Sequence, residues 1–468
     1  MQEKIANILN EINEPMGTVL VFVLSITGIW FTIRTKGVQF RLLGEMIRLL
    51  FQPSNKAKGK KVVSSFEAFT VSLASRVGTG NLAGVATAIV IGGPGAIFWM
   101  WVMALIGSVN TFIECTLAQL FKSRGKDSFI GGPAYYIEKG LKKRWYAMIF
   151  AIAIIGQFGM TNNMVQANTI TSAFNSAFGV DPYILAIALT VLTVLVIFGG
   201  IQRIAKVCSV VIPFMALGYL AIAIWVIAAN ITAIPSVLSI IVKNAFGFEQ
   251  IAGGTVGTAI MMGFKRGIFS NEAGEGSAPN AAATAEVTHP VKQGLIQTLG
   301  VFTDTLIVCS CTAFIIMCSG LYDCGANGIE LTQIALSSHI GEVGKTIIAI
   351  AILFFAFSSV LGNYYYGECN VEFLCNGSRW TKSAIQGYRV VLCILVFIGS
   401  LMAIDIVWAL VDFFMVIMTA CNLIAILLLG HYAIRLLKDY QQQRKEGKDP
   451  IYKSSTCPEI AESTECWE

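Results

Sequence analysis

Charge is scarce in this sequence. Asp, Glu, Lys and Arg make up 13% of its 468 residues, where a soluble chain carries about a quarter. Histidine is scarcer still, with three in all, and no Cys-x-x-Cys pair occurs among the twelve cysteines. Clustered metal ligands and a histidine-based catalytic centre therefore have little to be built from. Most cysteines, such as Cys208, Cys309, Cys311, Cys393 and Cys421, lie inside apolar runs, where thiols act as small hydrophobes. Cys318 and Cys324 fall near a helix end and could pair in an oxidising space. A net charge of +5 implies no nucleic-acid partner, because its distribution between loops matters more than its sum. With Glu3, Glu11 and Glu14 among them, the first fourteen residues do not read as a basic, cleaved leader.

What the chain has in abundance is apolar length. Hydrophobic residues make up 55% of it, and crossing the hydrocarbon of a bilayer takes about 20 apolar residues. Eleven stretches qualify: 15–33, 66–92, 96–121, 145–174, 183–200, 205–229, 251–286, 291–320, 343–371, 383–404 and 407–434. The fold class is an all-α integral membrane protein. Residues 38–51 read as an amphipathic surface helix, 235–246 and 327–340 as short interfacial helices. The tail after 435 is polar and reads as partly disordered.

Loop charge sets the orientation. The 34–61 connection holds eight basic residues, the 122–144 connection seven and the tail from Arg435 six, whereas the alternate connections hold only Lys243. Basic loops face the cytoplasm, so the N-terminus is expected outside and the C-terminus inside.

Two of the eleven spans are interrupted. The second holds "SRVGTGN" and the seventh, five spans later and running the opposite way, holds "FKRGIFSNEAGEGSAPNAAATA". Irregular backbone survives at membrane depth only where protein or a wet cavity satisfies it. Paired interruptions in oppositely oriented halves point to an inverted-repeat transporter with a midplane site. The implied division is 1–61 for the first helix and amphipathic segment, 62–230 and 231–434 for two five-helix repeats, and 435–468 for a cytoplasmic tail. Free N–H groups at such a break suit a carboxylate, and freed carbonyls suit a cation. Arg76, Lys265, Arg266, Glu272 and Glu275 lie within the interrupted spans, and lipid would not tolerate them. Mutual pairing that holds the broken helices is the reading preferred over proton transfer. Glu114, Asp304 and Asp412 are further candidates for internal networks.

The motifs "VGTGNLAGVATA", "GGPGAIFWMWVMALIG", "KRGIFSNEAGEGSAPNAAA" and "FSSVLGNYYYGE" closely resemble the alanine/glycine:cation symporter family, over about residues 15–435. The resemblance implies a LeuT-like 5+5 inverted repeat after one extra helix. It also implies sodium- or proton-coupled uptake of a small neutral amino acid across a bacterial inner membrane, with no enzymatic step and no cofactor beyond the co-transported sodium ion. Carried over by position, Thr79, Gly80 and Asn81 would receive the substrate carboxylate. Gln166 would line the pocket, Phe269 would wall or gate it, and Ser270 and Asn271 would supply polar contacts. Ser358 and Ser359, with carbonyls of Ala74 and Val77, would hold sodium. Asn363 would face the substrate side chain; where some family members carry tryptophan, a carboxamide leaves room for glutamine or asparagine. An ion channel built on broken helices is the rival from another class.

Overall fold

The computed structural model describes residues 2–52, 63–125, 128–247, 255–375, 377–402 and 404–467. Lys56, Lys58, Lys60 and Lys61, which contribute to the expected orientation, lie outside the described residues, as do 251–254 of the seventh predicted span. The chain is helical nearly throughout. A two-stranded antiparallel hairpin pairs Ser123–Arg124 with Phe129–Ile130. Among the described residues, eight helices are long and apolar enough to cross a membrane: Asn7–Arg34, Gly95–Leu120, Arg144–Phe178, Gly200–Ala229, Pro290–Ser319, Val343–Cys375, Thr381–Leu401 and Ile406–Lys445. The remaining expected spans correspond to shorter or interrupted helices, including Gly80–Gly92 and Pro182–Ile197. The expected interfacial helices form at Ile234–Ala245 and Gly328–Ile340.

The distribution of polarity is the reverse of that in a water-soluble fold. Phe22, Val210, Phe214 and Leu217 are each more than 60% exposed, while Arg76, Glu114, Glu272, Glu275 and Asp304 are at most 2% exposed. Apolar side chains face outward because lipid surrounds them, and polar ones collect where helices can satisfy them. The amphipathic segment follows the same logic. It splits at Leu42 into Val38–Arg41 and Leu43–Leu50, burying Met46 and Leu49 while Leu43, Ile47 and Phe51 stay exposed. Glu45 receives Arg48 at 2.8 Å, the Tyr440 hydroxyl at 2.5 Å, and Arg444. Burial opposes ionisation of Glu45, yet these three groups hold its carboxyl below the usual range.

Three helices contain π-helical turns, at Gly80–Gly84, Gln157–Thr161 and Phe302–Cys309. Such turns widen the helix by one residue and cluster at functional sites. Here each lies on a helix that carries a polar group of the interior: Asn81, Gln166 and Asp304 respectively.

The tail departs from the expectation of disorder. The last long helix runs to Lys445, and the chain beyond it folds back onto the bundle. Tyr452 N–H donates to the Thr288 carbonyl at 2.9 Å, and the Thr288 hydroxyl to the Pro450 carbonyl at 2.8 Å. Lys292 pairs with Asp449 at 2.7 Å, and Trp467 Nε1 donates to the Gln119 carbonyl at 3.0 Å. The reason is composition at a finer grain: Tyr452, Cys457 and Ile460 are buried apolar anchors within a polar stretch. Trp467 also covers Lys122, whose ammonium lies 4.5 Å from the Trp467 ring and 4.1 Å from that of Phe129. Burial pushes the Lys122 amine down to about 7, while the rings and the Gln119 and Ala285 oxygens favour its cation. Trp467→Ala should destabilise the docked tail by about 1–3 kcal/mol. A melting temperature in detergent that falls by no more than it does for Trp145→Ala, at a 64% exposed residue, would refute that role.

Candidate functional site

The first interruption is set up by a helix with a firm start. Ser64 accepts Glu67 N–H at 3.2 Å and Glu67 accepts Ser64 N–H at 2.7 Å, a reciprocal cap. The helix Ser65–Arg76 then stops, and Val77 and Gly78 leave the helical path before a π-helical turn begins at Gly80. Two of the N–H groups beside the break find side-chain oxygens: Gly78 donates to Asn81 Oδ1 at 2.9 Å and Thr79 to Gln166 Oε1 at 3.0 Å. Gln166 is held in turn by donating to Asn162 Oδ1 at 3.0 Å, one helical turn away. A Cβ on Gly78 would lie 2.3 Å from Ser359 Oγ and 2.7 Å from Gln166 Oε1, so glycine is required by close approach.

The carbonyls beside this break converge on one hydroxyl. Ser359 Oγ lies 2.9 Å from Ala74 O, 3.3 Å from Val77 O and 3.0 Å from Phe355 O. A serine has a single hydroxyl hydrogen, so three acceptors share one donor. Such a surplus of oxygen lone pairs is the kind of donor set that a hard cation takes. Ser358 shares only the last of these oxygens: its hydroxyl donates to Phe355 O of its own helix at 2.9 Å. The two serines expected to act together meet at the Phe355 carbonyl, and Ser359 alone also reaches those of Ala74 and Val77.

The second interruption begins later than its sequence suggests. Residues 267–271 remain helical, as the end of helix Val256–Asn271. The break spans 272–277: Glu272 adopts the left-handed conformation at φ 57°, and Gly274 and Gly276 have φ of 84° and 88°. The helix resumes as Ala278–Ala282. On the first wall, Gly80 and Asn81 sit in the π-helical turn. The two walls nevertheless meet, since a Cβ on Gly80 would lie 3.1 Å from Ser270 Cα and 3.2 Å from Phe269 Cδ1.

Polar side chains of both walls converge on Asp304, which the sequence left among undifferentiated acids. Asn81 Nδ2 donates to Asp304 Oδ1 at 2.7 Å, and the Ser270 and Thr305 hydroxyls donate to Oδ2 at 2.8 and 2.9 Å. Asn271 Nδ2 donates to Thr305 Oγ1 at 3.1 Å. On the far side of the break, Ser75 Oγ is 2.6 Å from Glu272 Oε1 and 2.7 Å from the Asn363 amide. Ser75 has one hydrogen to give. The consistent chain has Asn363 N–H donating to Ser75, whose proton goes to Glu272, a choice of amide orientation. Either orientation leaves one end of the buried Asn363 amide without a partner, and Thr79 Oγ1 is also unpartnered.

Phe269 is buried with its ring centroid 4.7 Å from that of Trp408, and Arg266 lies 4.3 Å over the Trp408 ring. Arg266 and Trp408 also line a cavity of about 630 Å³, together with Ala83, Thr87, Thr169, Lys265 and Asp412, among others. Lys265 pairs with Asp412 at 2.5 Å. The expected mutual pairing of Arg76, Lys265, Arg266, Glu272 and Glu275 does not occur, for no two of these five lie within ion-pair distance among the described residues. Arg76 donates instead to the Gln297 carbonyl at 3.1 Å, and Glu275 accepts from Gln157 at 3.3 Å. Spaced along separate turns, they reach neighbouring helices rather than one another. All twelve cysteines are free, Cys318 and Cys324 included.

Residues 2–454 match the model of the sodium:alanine symporter family. The chain belongs to this family. Among its relatives, the amino-acid carrier protein AlsT of Bacillus subtilis is 51% identical over 449 residues, covering 96% of this chain and 95% of AlsT. The probable sodium/glutamine symporter GlnT of the same organism is 48% identical, covering 100% of this chain and 97% of GlnT. The sodium/alanine symporter AgcS of Methanococcus maripaludis is 37% identical, covering 94% and 98%. The family is one of membrane transporters, not of enzymes. Of solved structures, MhsT with L-phenylalanine superposes with a TM-score of 0.55 at 14% identity, covering 86% of this chain and 93% of that one. A Na+-coupled sialic acid symporter gives 0.50 at 16% identity, covering 92% and 86%. These likenesses carry the fold, which is LeuT-like.

The close approach at Gly78 gives a direct test. Gly78→Ala should lower uptake at least about fivefold, since overpacking a tight site costs about 1–3 kcal/mol. Gly218→Ala, where nothing lies within 4 Å of the added methyl, should stay within about twofold of the parent. Equal uptake by both variants would remove the argument for a tight junction.

Proposed function

We propose that this protein is a sodium-coupled symporter that imports a small neutral amino acid by alternating access. The observation that carries the reading is the oxygen cluster of Ala74, Val77 and Ser359 set directly beside the first break. Sodium would sit among those oxygens, with Ser358 able to contribute only after a rotamer change. The substrate carboxylate would take the N–H groups at Thr79, Gly80 and Asn81, releasing Gln166 to line the pocket. Ser270 and Asn271 would supply polar contacts from the opposite wall, with Phe269 closing the site toward the Trp408 cavity.

Sodium and substrate are coupled because both need the same shape of residues 74–81. A cation drawing in the Ala74 and Val77 carbonyls fixes the turn whose N–H groups meet the carboxylate. Each ligand then raises the other's affinity by the same factor. In this reading eleven spans form two inverted five-helix repeats, 62–230 and 231–434, after the helix and amphipathic segment of 1–61. The segment 435–468 lies in the cytoplasm of a bacterial cell and the N-terminus outside.

The substrate range extends to glutamine or asparagine. Asn363 spends one end of its amide on Ser75 and keeps the other free, and a buried polar group without a partner selects a substrate that supplies one. The relative named as a probable sodium/glutamine symporter supports this choice.

In proteoliposomes, uptake should follow an inward sodium gradient, and labelled substrate should show counterflow. Ser359→Ala should raise the sodium concentration for half-maximal uptake about tenfold, the equivalent of about 1.4 kcal/mol, and change uptake at saturating sodium far less. Uptake equal in sodium and choline buffers and driven by a proton gradient would establish a proton-coupled carrier instead. Flux without counterflow would establish a channel. For the substrate, excess glutamine should compete with alanine, and Asn363→Trp should abolish that competition while sparing glycine. Alanine uptake untouched by glutamine and asparagine would restrict the range to alanine and glycine.

A further inference from the structure

We propose that Asp304 is the positioning residue that joins the two interrupted helices into one binding site. The inference rests on the reading that Asn81 and Ser270 contact substrate. Neither broken helix supplies Asp304; it comes from the π-helical turn Phe302–Cys309 of a third helix. One carboxylate oxygen takes Asn81 from the first wall at 2.7 Å, and the other takes Ser270 from the second at 2.8 Å. Thr305, which also donates to Asp304, accepts Asn271 at 3.1 Å. Three of the residues expected to meet substrate are thus held by this one turn.

The chemistry of the linkage explains why an acid stands there. A carboxylate is acceptor-only and offers about four lone-pair sites, so it can take an amide N–H and two hydroxyls at once without rearrangement. Asn81 is committed at both ends, its Oδ1 taking Gly78 N–H and its Nδ2 giving to Asp304. Asp304 therefore fixes, through Asn81, the backbone of the first break itself. Through Ser270 it fixes the end of helix Val256–Asn271, one residue before Asn271 and two before Glu272. The fully buried carboxylate is held by neutral donors, and no side-chain cation is within ion-pair distance of it among the described residues. Asp304 and Thr305 are neighbours in this turn and their side chains meet, the Thr305 hydroxyl donating to Asp304 Oδ2 at 2.9 Å.

Removing the carboxylate should let the walls lose register, raising KM without stopping the transport cycle. Asp304→Ala is expected to raise KM for labelled alanine at least about tenfold, while Vmax per reconstituted molecule stays within about threefold. Asp304→Asn should recover most of the loss. Its carbonyl can still accept from Asn81, and the Ser270 and Thr305 hydroxyls can rotate to accept from its N–H groups. The deciding measurement is a mutant cycle. In an Asn81→Ala/Ser270→Ala/Asn271→Ala background, Asp304→Ala should cost less than about twofold further in KM, because the groups it positions are gone.

An undiminished cost in that background would overturn the proposal, as would an Asp304→Ala KM equal to the parent's. An Asp304→Asn variant as impaired as Asp304→Ala would also overturn it, since charge rather than positioning would then be at work. Should Asp304→Ala not be recovered folded, Asp304→Leu fills the volume without accepting hydrogen bonds and carries the same expectations. If Asn81→Ala and Ser270→Ala themselves leave KM unchanged while Asp304→Ala raises it, the substrate-site reading fails. Asp304 would then act through other groups, and the proposal would fall with that reading.

Discussion

A helix that stops at membrane depth leaves N–H and C=O groups that lipid cannot satisfy, each costing several kcal/mol if left bare. Everything around the two breaks in this chain answers that constraint. At the first, Asn81 and Gln166 take N–H groups and Ser359 meets the carbonyls. At the second, Asn271 Oδ1 accepts Ala273 N–H at 3.0 Å and Glu114 accepts Gly274 N–H at 3.4 Å. The polar residues of the interior are thus the means by which irregular backbone is tolerated. The same groups, being arranged around an opening in the helix, are also those a zwitterion and a cation could displace or share.

Much of this was legible in the sequence, and for physical reasons. Glycines flanked by polar residues in an otherwise apolar span mark a break, because nothing else makes that composition tolerable in lipid. Thr79, Gly80, Asn81, Ser270 and Asn271 accordingly lie at two walls that touch. The ends of the second break were not legible, because glycine serves two purposes in that stretch. Gly263 is needed for close packing, since a Cβ there would lie 2.5 Å from Ala96 O, and Gly267 packs on Met103 within a continuous helix. Of the glycines there, Gly274 and Gly276 supply the positive φ of the break, which Glu272 shares without being glycine. Local composition cannot distinguish the two.

Asp304 and the tail were missed for a different reason. A lone acid in "FTDTLIVC" has no local partner to identify it; its significance comes from Asn81 and Ser270, more than thirty residues away in either case. The tail averages as polar, yet Tyr452, Cys457 and Ile460 bury themselves against the bundle. Ser358 and Ser359 show the limit in miniature. Adjacent residues on a helix point about 100° apart, so a motif naming both could not say which hydroxyl meets the Ala74 and Val77 carbonyls.

The way the interior acids are held bears on how such a structure could move. Glu272 is met by the Ser75 and Ser277 hydroxyls, Glu114 by Asn422 at 2.6 Å, Glu275 by Gln157, and Asp304 by Asn81, Ser270 and Thr305. None of these contacts is an ion pair. Separating a buried ion pair costs about 3–5 kcal/mol because each charge is left uncompensated. A hydrogen bond to a charged group contributes about 1.5–3 kcal/mol net, and an incoming water or ligand oxygen can replace the donor. Neutral donors therefore keep the carboxylates satisfied while leaving the helices able to part. Contact ion pairs lie instead away from the breaks, as with Lys265 and Asp412 beside the cavity and Lys292 and Asp449 at the tail. Electrostatic fastening beside the cavity and at the tail, with exchangeable hydrogen bonds at the breaks, would suit the alternating-access cycle proposed for this chain.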